Sequence, residues 1–195
     1  PHPTPEPAMK TTPLSHLTDL GACSDAVAWV AASKYDSLET AWLQCERGDW
    51  MLWYAGKKSG PPESEGRKKL VLASCECARL ARPYWYKRNP DDKQVEACIA
   101  TAEKWTRGEA TIDELRNARS AAYAAAAYAA AAYAAAAYAA AAYADADAAY
   151  AAAAYAADAA YAAYAADAYA ANAARTKTLK QCAEIVRKHY STLPK

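Results

Sequence analysis

The chain has no phenylalanine, and only six glycines and three histidines in 195 residues. Between Ser120 and Ala174 it also lacks leucine, isoleucine, valine, glycine, proline, lysine and arginine. Without branched aliphatics, that stretch cannot build an ordinary leucine-type core. With so few histidines, no Ser-His-Asp or Cys-His catalytic set is positioned: His2 lies in a tail, and His189 sits near a helix end among basic residues. The formal charge is nearly balanced at +1. It lacks the excess of Lys and Arg that binds phosphate backbones, so nucleic acid is not expected as the main partner. No membrane span is expected either. The stretch is long enough, but alanine is weakly hydrophobic, and Asp145, Asp147, Asp158 and Asp167 interrupt it.

What the stretch does contain is alanine and tyrosine, with a core reading AAYAAAAYAAAAYAAAAYAAAAY. Alanine is the strongest helix former, so the tract is expected to be helical, with close alanine contacts spaced by tyrosine rings. Tyr123, Tyr128, Tyr133, Tyr138 and Tyr143 recur every five residues. Successive rings then step by about 140° and point in all directions, which predicts a central helix surrounded by others. In the second half, Tyr150, Tyr161 and Tyr164 fall within about 60° of one another and mark a one-sided face. A single helix from Ile112 to Tyr190 would run about 118 Å, against a compact diameter of about 40 Å. The tract must therefore fold back. The expected break is Ala144–Ala148 (ADADA), because aspartate side chains compete with the helix backbone.

Residues 1–13 hold half of the ten prolines and read as a disordered tail, with those before Met9 set aside as a cloning remnant. Residues 14–195 read as one all-helical domain, with short helices over 14–108 and long Ala/Tyr helices over 111–190. Ser24 or Asp25 is expected to cap one helix. Ser37 caps another, which Gly48 ends, and Asp49 opens a third. There Trp50, Trp53 and Tyr54 share a stripe. Pro83 bends or ends the helix that begins near Glu65, and Asn89-Pro90-Asp91 starts the next. Thr111 and Glu114 form a capping box. Near the C-terminus, Leu179, Cys182, Ile185 and Val186 face a core, while Lys180, Arg187 and Lys188 face water. The fold class is all-α: a helical bundle with a long Ala/Tyr-rich hairpin packed on short Trp-rich N-terminal helices.

The six cysteines sit in helical patterns and read as small, buried, reduced thiols of a cytoplasmic protein. Cys75 and Cys77 form a C-x-C pair whose thiols point nearly opposite ways on a helix, so no metal site is expected. Arg79 and Arg82, beside Tyr84, Trp85 and Tyr86, combine a phosphate-binding fork with stacking rings; as a plain helix end they are a basic rim around an aromatic plug. The tract aspartates are exposed points on the hairpin or its turn, or else buried partners of residues such as Arg67, Arg79 or Arg116.

The segments LTDLGACSDAVAWV, ETAWLQCERGDWMLWYAGK, GRKKLVLASCECAR, AEKWTRGEATIDELRNA and AARTKTLKQCAEIVRKHY resemble one group of bacterial proteins. This is the fifth all-helical family of immunity proteins predicted for polymorphic toxin systems. The resemblance runs over nearly the whole chain after Leu14, and Cys45–Trp53 is its most specific piece. It implies a non-catalytic protein, without cofactor or metal, that neutralises a protein toxin by direct binding. The candidate binding residues are Asp49, Trp50, Trp53, Arg79, Arg82, Tyr150, Tyr161 and Tyr164. One alternative is a protein that sequesters an anionic, nucleotide-like small molecule. Another is a self-assembling structural protein whose Tyr150, Tyr161 and Tyr164 face forms homo-oligomers.

Overall fold

The computed structural model describes residues 12–87, 90, 91, 93–126, 135, 138–142, 148–164 and 167–195. The described elements are all helical, and no strand occurs among them. The chain divides into two compact units, residues 1–44 and 45–195.

The first unit holds α1 (Pro13–Asp19), α2 (Ser24–Ser33) and α3 (Leu38–Gln44). Thr12 caps α1 by accepting the Ser15 N–H at 3.2 Å, and Pro13 occupies the first turn, where its missing N–H costs nothing. Neither Ser24 nor Asp25 caps α2: Cys23 holds the N-cap position, without a side-chain bond, and Asp25 instead lies in the first turn. Lys34, at φ 51°, ends that helix in the left-handed region. Ser37 accepts the Thr40 N–H at 3.1 Å, as its sequence position predicts. The Trp29 and Tyr35 rings lie 5.4 Å apart.

The second unit holds α4 (Gly48–Lys58), α5 (Glu65–Arg79), α6 (Arg82–Tyr86), α7 (Gln94–Thr106), α8 (Ile112–Ala126), α9 (Ala148–Ala163) and α10 (Ala168–His189). Gly48 begins α4 rather than ending α3, which stops at Gln44. The reason is tertiary. A side chain at Gly48 would collide with Cys182 and Ala183 of α10, so glycine is what lets these helices cross so closely. Ser64 caps α5, accepting the Arg67 N–H at 3.1 Å. Pro83 falls in the first turn of the short α6, after α5 has ended. Pro90 and Asp91 form a turn, and α7 starts at Gln94. The Thr111–Glu114 capping box is formed in both directions: Glu114 N–H donates to Thr111 Oγ1 at 3.2 Å, and Thr111 N–H donates to Glu114 Oε2 at 2.7 Å.

The core of this unit is aliphatic on one side and alanine on the other. Met51, Leu52, Leu70, Val71, Val95, Ile99, Leu115 and Val186 are fully buried. α9 buries Ala149, Ala152, Ala153, Ala156, Ala157 and Ala160, the i, i+3, i+4 pattern of one helix face. It packs against α10, α4 and α5. With only methyl groups on its packing face, α9 buries that face with little side-chain entropy to lose.

The central helix that the five-residue repeat predicts belongs to the first half of the tract. Of that repeat only Tyr138 has a described side chain, so the expectation for Tyr123, Tyr128, Tyr133 and Tyr143 lies outside the described residues. So does the predicted break at Ala144–Asp147; α9 begins at Ala148. A further turn separates α9 from α10, where Asp167 N–H donates to Tyr164 O at 2.9 Å. Asp167 then caps α10, accepting the Tyr169 and Ala170 N–H groups at 2.9 and 3.2 Å. The described hairpin is therefore α9–α10, packed on the Trp-bearing α4.

The buried Arg67 reaches two backbone carbonyls, Gly60 O at 2.7 Å and Ala142 O at 3.3 Å. It thereby caps the helical stretch 138–141 and ties it to α5. In α10, Leu179, Cys182 and Val186 are buried and Ile185 is half-buried. Arg187 does not face water as expected; its Nη1 donates to Cys45 O at 2.7 Å. No helix among the described residues is long and apolar enough to cross a membrane.

Candidate partner-binding surface

The candidate residues fall into three places in the second unit. The first is the start of α4. Asp49 is 1% exposed and is held by a bidentate ion pair, Arg47 Nε to Oδ1 at 2.9 Å and Nη2 to Oδ2 at 2.7 Å. The Arg47 guanidinium also lies 4.2 Å from the centre of the Trp50 ring, and the Lys57 ammonium lies 5.5 Å from that of Trp53. Trp50 and Trp53 are half-buried. Asp49 is thus a clamp that fixes Arg47 as a plate over Trp50, not an open carboxylate.

The second place is the seam of α5, α6 and α7. Arg79 donates to both carboxylate oxygens of Glu103 and, through Nε and Nη2, to Glu96 Oε1 at 3.3 and 2.9 Å. The hydrogen bond with Glu103 raises the Arg79 pKa above that of an ordinary guanidinium, against partial burial and with Glu96 adding to it. Arg82 lies 3.7 Å from Glu96 and stacks over Tyr86 at 5.2 Å. A phosphate arriving here would have to displace two carboxylates from Arg79.

The third place is the outer side of α9. Tyr150, Tyr161 and Tyr164, which share a stripe in the sequence, are exposed, at 39%, 38% and 49%. Tyr155 and Tyr169 of that surface were not singled out by the sequence. Tyr155 is exposed and stacks on Tyr138 at 5.2 Å with ring planes 7° apart. Its phenol pKa is raised, first by Tyr138, then by partial burial, a hydrogen bond with Tyr138 and the charge of Asp158. Asp158 is half-exposed and accepts from Arg175 Nε of α10 at 3.1 Å. Arg175 was not among the partners expected for it. Tyr169, just past the turn, is 86% exposed. Its signal in the sequence was Asp167, whose capping role places Tyr169 at the tip of the hairpin.

Tyr164 links the second and third places through an edge contact with Tyr84 of α6, 6.4 Å between ring centres. The α4 residues are not brought onto the tyrosine surface, because α4 packs on α9 while Tyr150 and Tyr161 stay exposed.

Five cysteines are buried and Cys23 is exposed, so the expectation of six buried thiols fails at Cys23. Cys75 and Cys77 approach different helices: Cys75 Sγ is 4.0 Å from Ile99 O, and Cys77 Sγ is 3.9 Å from Cys182 O. Among the described residues, no group of three or more His, Cys, Asp or Glu is arranged to hold a metal ion. A hollow of about 460 Å³ on α10, lined by Tyr169, Asn172, Ala173, Thr176, Lys177 and Lys180, opens widely to solvent.

Residues 61–194 match the model of the family described as "Imm-5 like putative immunity protein". The chain belongs to this family. In this immunity-family chain the match takes in Arg79, Arg82 and the whole α9–α10 hairpin, and it starts after α4. Asp49, Trp50 and Trp53 lie before it, so the Cys45–Trp53 segment, expected to be the most specific piece of the resemblance, falls outside the matched residues. No curated protein and no solved structure matches the chain.

Proposed function

We propose that this chain neutralises a protein toxin by binding it directly, without catalysis, inside the cell that makes both. Family membership supports a toxin as the partner. The observation that carries the binding role is the division of α9: its alanines do the packing while Tyr150 and Tyr161, with Tyr164 just past its end, remain exposed. Tyrosine is a preferred interface anchor, because its large rigid ring and hydroxyl gain contact area at low entropic cost. In this reading the tyrosines are the anchors, with Arg82 on the rim beside Tyr84. Asp49, Trp50, Trp53 and Arg79 hold the scaffold that presents them. Inhibition then comes from covering the toxin's working surface.

Co-expression tests this. A host making the cognate toxin domain should survive only when the chain is also made, and the two should co-elute as one complex. Cell death despite abundant, folded chain would refute the proposal. Native mass spectrometry of the purified chain separates the alternatives. A small molecule lost on denaturation would favour sequestration, and a stable homo-oligomer would favour self-assembly.

A further inference from the structure

The outer face of α9 has a definite chemical pattern. With Tyr150 as origin and about 100° per residue, Tyr161 stands at about 20°, Asp158 at about 80° and Tyr155 at about 140°. The buried alanines occupy the opposite arc. A half-exposed carboxylate therefore lies between two exposed ring edges. Charge points the same way. Of the tract's four aspartates, Asp158 is the one on this face; Asp145 and Asp147 lie outside the described residues, and Asp167 caps α10. The residue that already reaches Asp158 is a cation, Arg175, through Nε to Oδ1 at 3.1 Å on the partly exposed surface. Elsewhere the same molecule sets cations over rings, Arg47 on Trp50 and Arg82 on Tyr86.

Resting on the toxin-binding reading above, we propose that the face formed by Tyr150, Tyr155, Asp158 and Tyr161 docks a basic protein surface. Arginine or lysine side chains of the toxin lie against the tyrosine rings, and Asp158, one turn from both Tyr155 and Tyr161, is the counter-charge of the one seated between them. The ring faces attract the cation electrostatically, and the carboxylate, now shared with Arg175, completes the site.

The test is titration calorimetry of the toxin domain found by the co-expression test against the full chain at low and high salt. Three variants are compared with wild type: Tyr150→Leu/Tyr161→Leu, Tyr150→Phe/Tyr161→Phe and Asp158→Asn. All change exposed positions on an alanine-rich helix, and circular dichroism checks that each remains folded. Phenylalanine keeps the ring face and should hold Kd within about 3-fold, while leucine should weaken it roughly 5- to 30-fold for two rings. Asp158→Asn should weaken binding and flatten its salt dependence. Equal Kd for the leucine and wild-type chains, or binding insensitive to salt, overturns the proposal while leaving toxin binding intact. If wild type neither binds nor protects, the toxin reading falls and this proposal with it. If sedimentation finds a dimer that the leucine variant dissolves, a second copy covers this face and the proposal is wrong.

Discussion

Gly48 and Cys182 meet where α4 crosses α10, so closely that a methyl group on Gly48 would overlap the Cys182 side chain and lie 2.5 Å from Ala183 N. The obstacle on the α10 side is backbone, which cannot rotate away. Gly48→Ala should therefore destabilise the protein by at least about 1–3 kcal/mol, the usual cost of overpacking, even though alanine is the better helix former. Urea denaturation monitored by circular dichroism reads this out. An unchanged midpoint would mean that the two helices do not approach as described.

The two sides of α9 should respond in opposite ways. Ala156 is fully buried, so Ala156→Leu inserts three carbons where only a methyl group fits, and should cost about 1–3 kcal/mol. Tyr161 is exposed, so Tyr161→Ala should change stability by no more than about 0.5 kcal/mol. Thermal melts of both variants decide it. Equal destabilisation would contradict the alanine-in, tyrosine-out arrangement.

Thiol labelling checks the core. Cys23 is exposed and the other five cysteines are buried. Burial pushes the Cys45 thiol up to about 11 and the Cys98 thiol up to about 12, which removes the reactive thiolate at neutral pH. A disulfide reagent should titrate Cys23 quickly in the native protein and all six thiols in denaturant. Fast native reaction at Cys98 would show that the α5–α7 contact is open.

Stability should fall at both ends of the pH scale. On Glu76, partial burial raises the pKa, but the hydrogen bonds from Lys188 and His189 outweigh it, and the net shift is downward. A carboxylate with a lowered folded pKa stabilises above its unfolded value of about 4.5, and that contribution is lost as pH falls through the folded value. Glu76→Gln should remove part of the acid sensitivity. At the alkaline end, Cys45 and Tyr190 are raised by burial to about 11 and about 12, so their contributions are intact below about 9 and 10 and vanish as pH rises through the folded values. Equilibrium unfolding from pH 3 to 11 measures both limbs.

Much of the architecture was legible in the sequence because it depends on one helix at a time. Alanine content specified helix, and Thr111 with Glu114 specified a start that forms as read. The 100° step placed Tyr150, Tyr161 and Tyr164 on one side, and they are exposed together. The candidate surface was only half legible. Tyr155 stands off that stripe by about 120° or more. It joins the surface because the buried arc of α9 lies elsewhere, which depends on where α4, α5 and α10 pack.

The sequence by itself determined an all-helical chain, alanine helices that pack closely, and a one-sided stripe of Tyr150, Tyr161 and Tyr164. Only the tertiary structure decided the pairings. Arg79 belongs to Glu96 and Glu103, Asp158 to Arg175 and Gly48 to Cys182. The physical reason is that periodicity is a property of a single helix. Partners and close crossings are fixed only when particular helices meet at a particular height and angle.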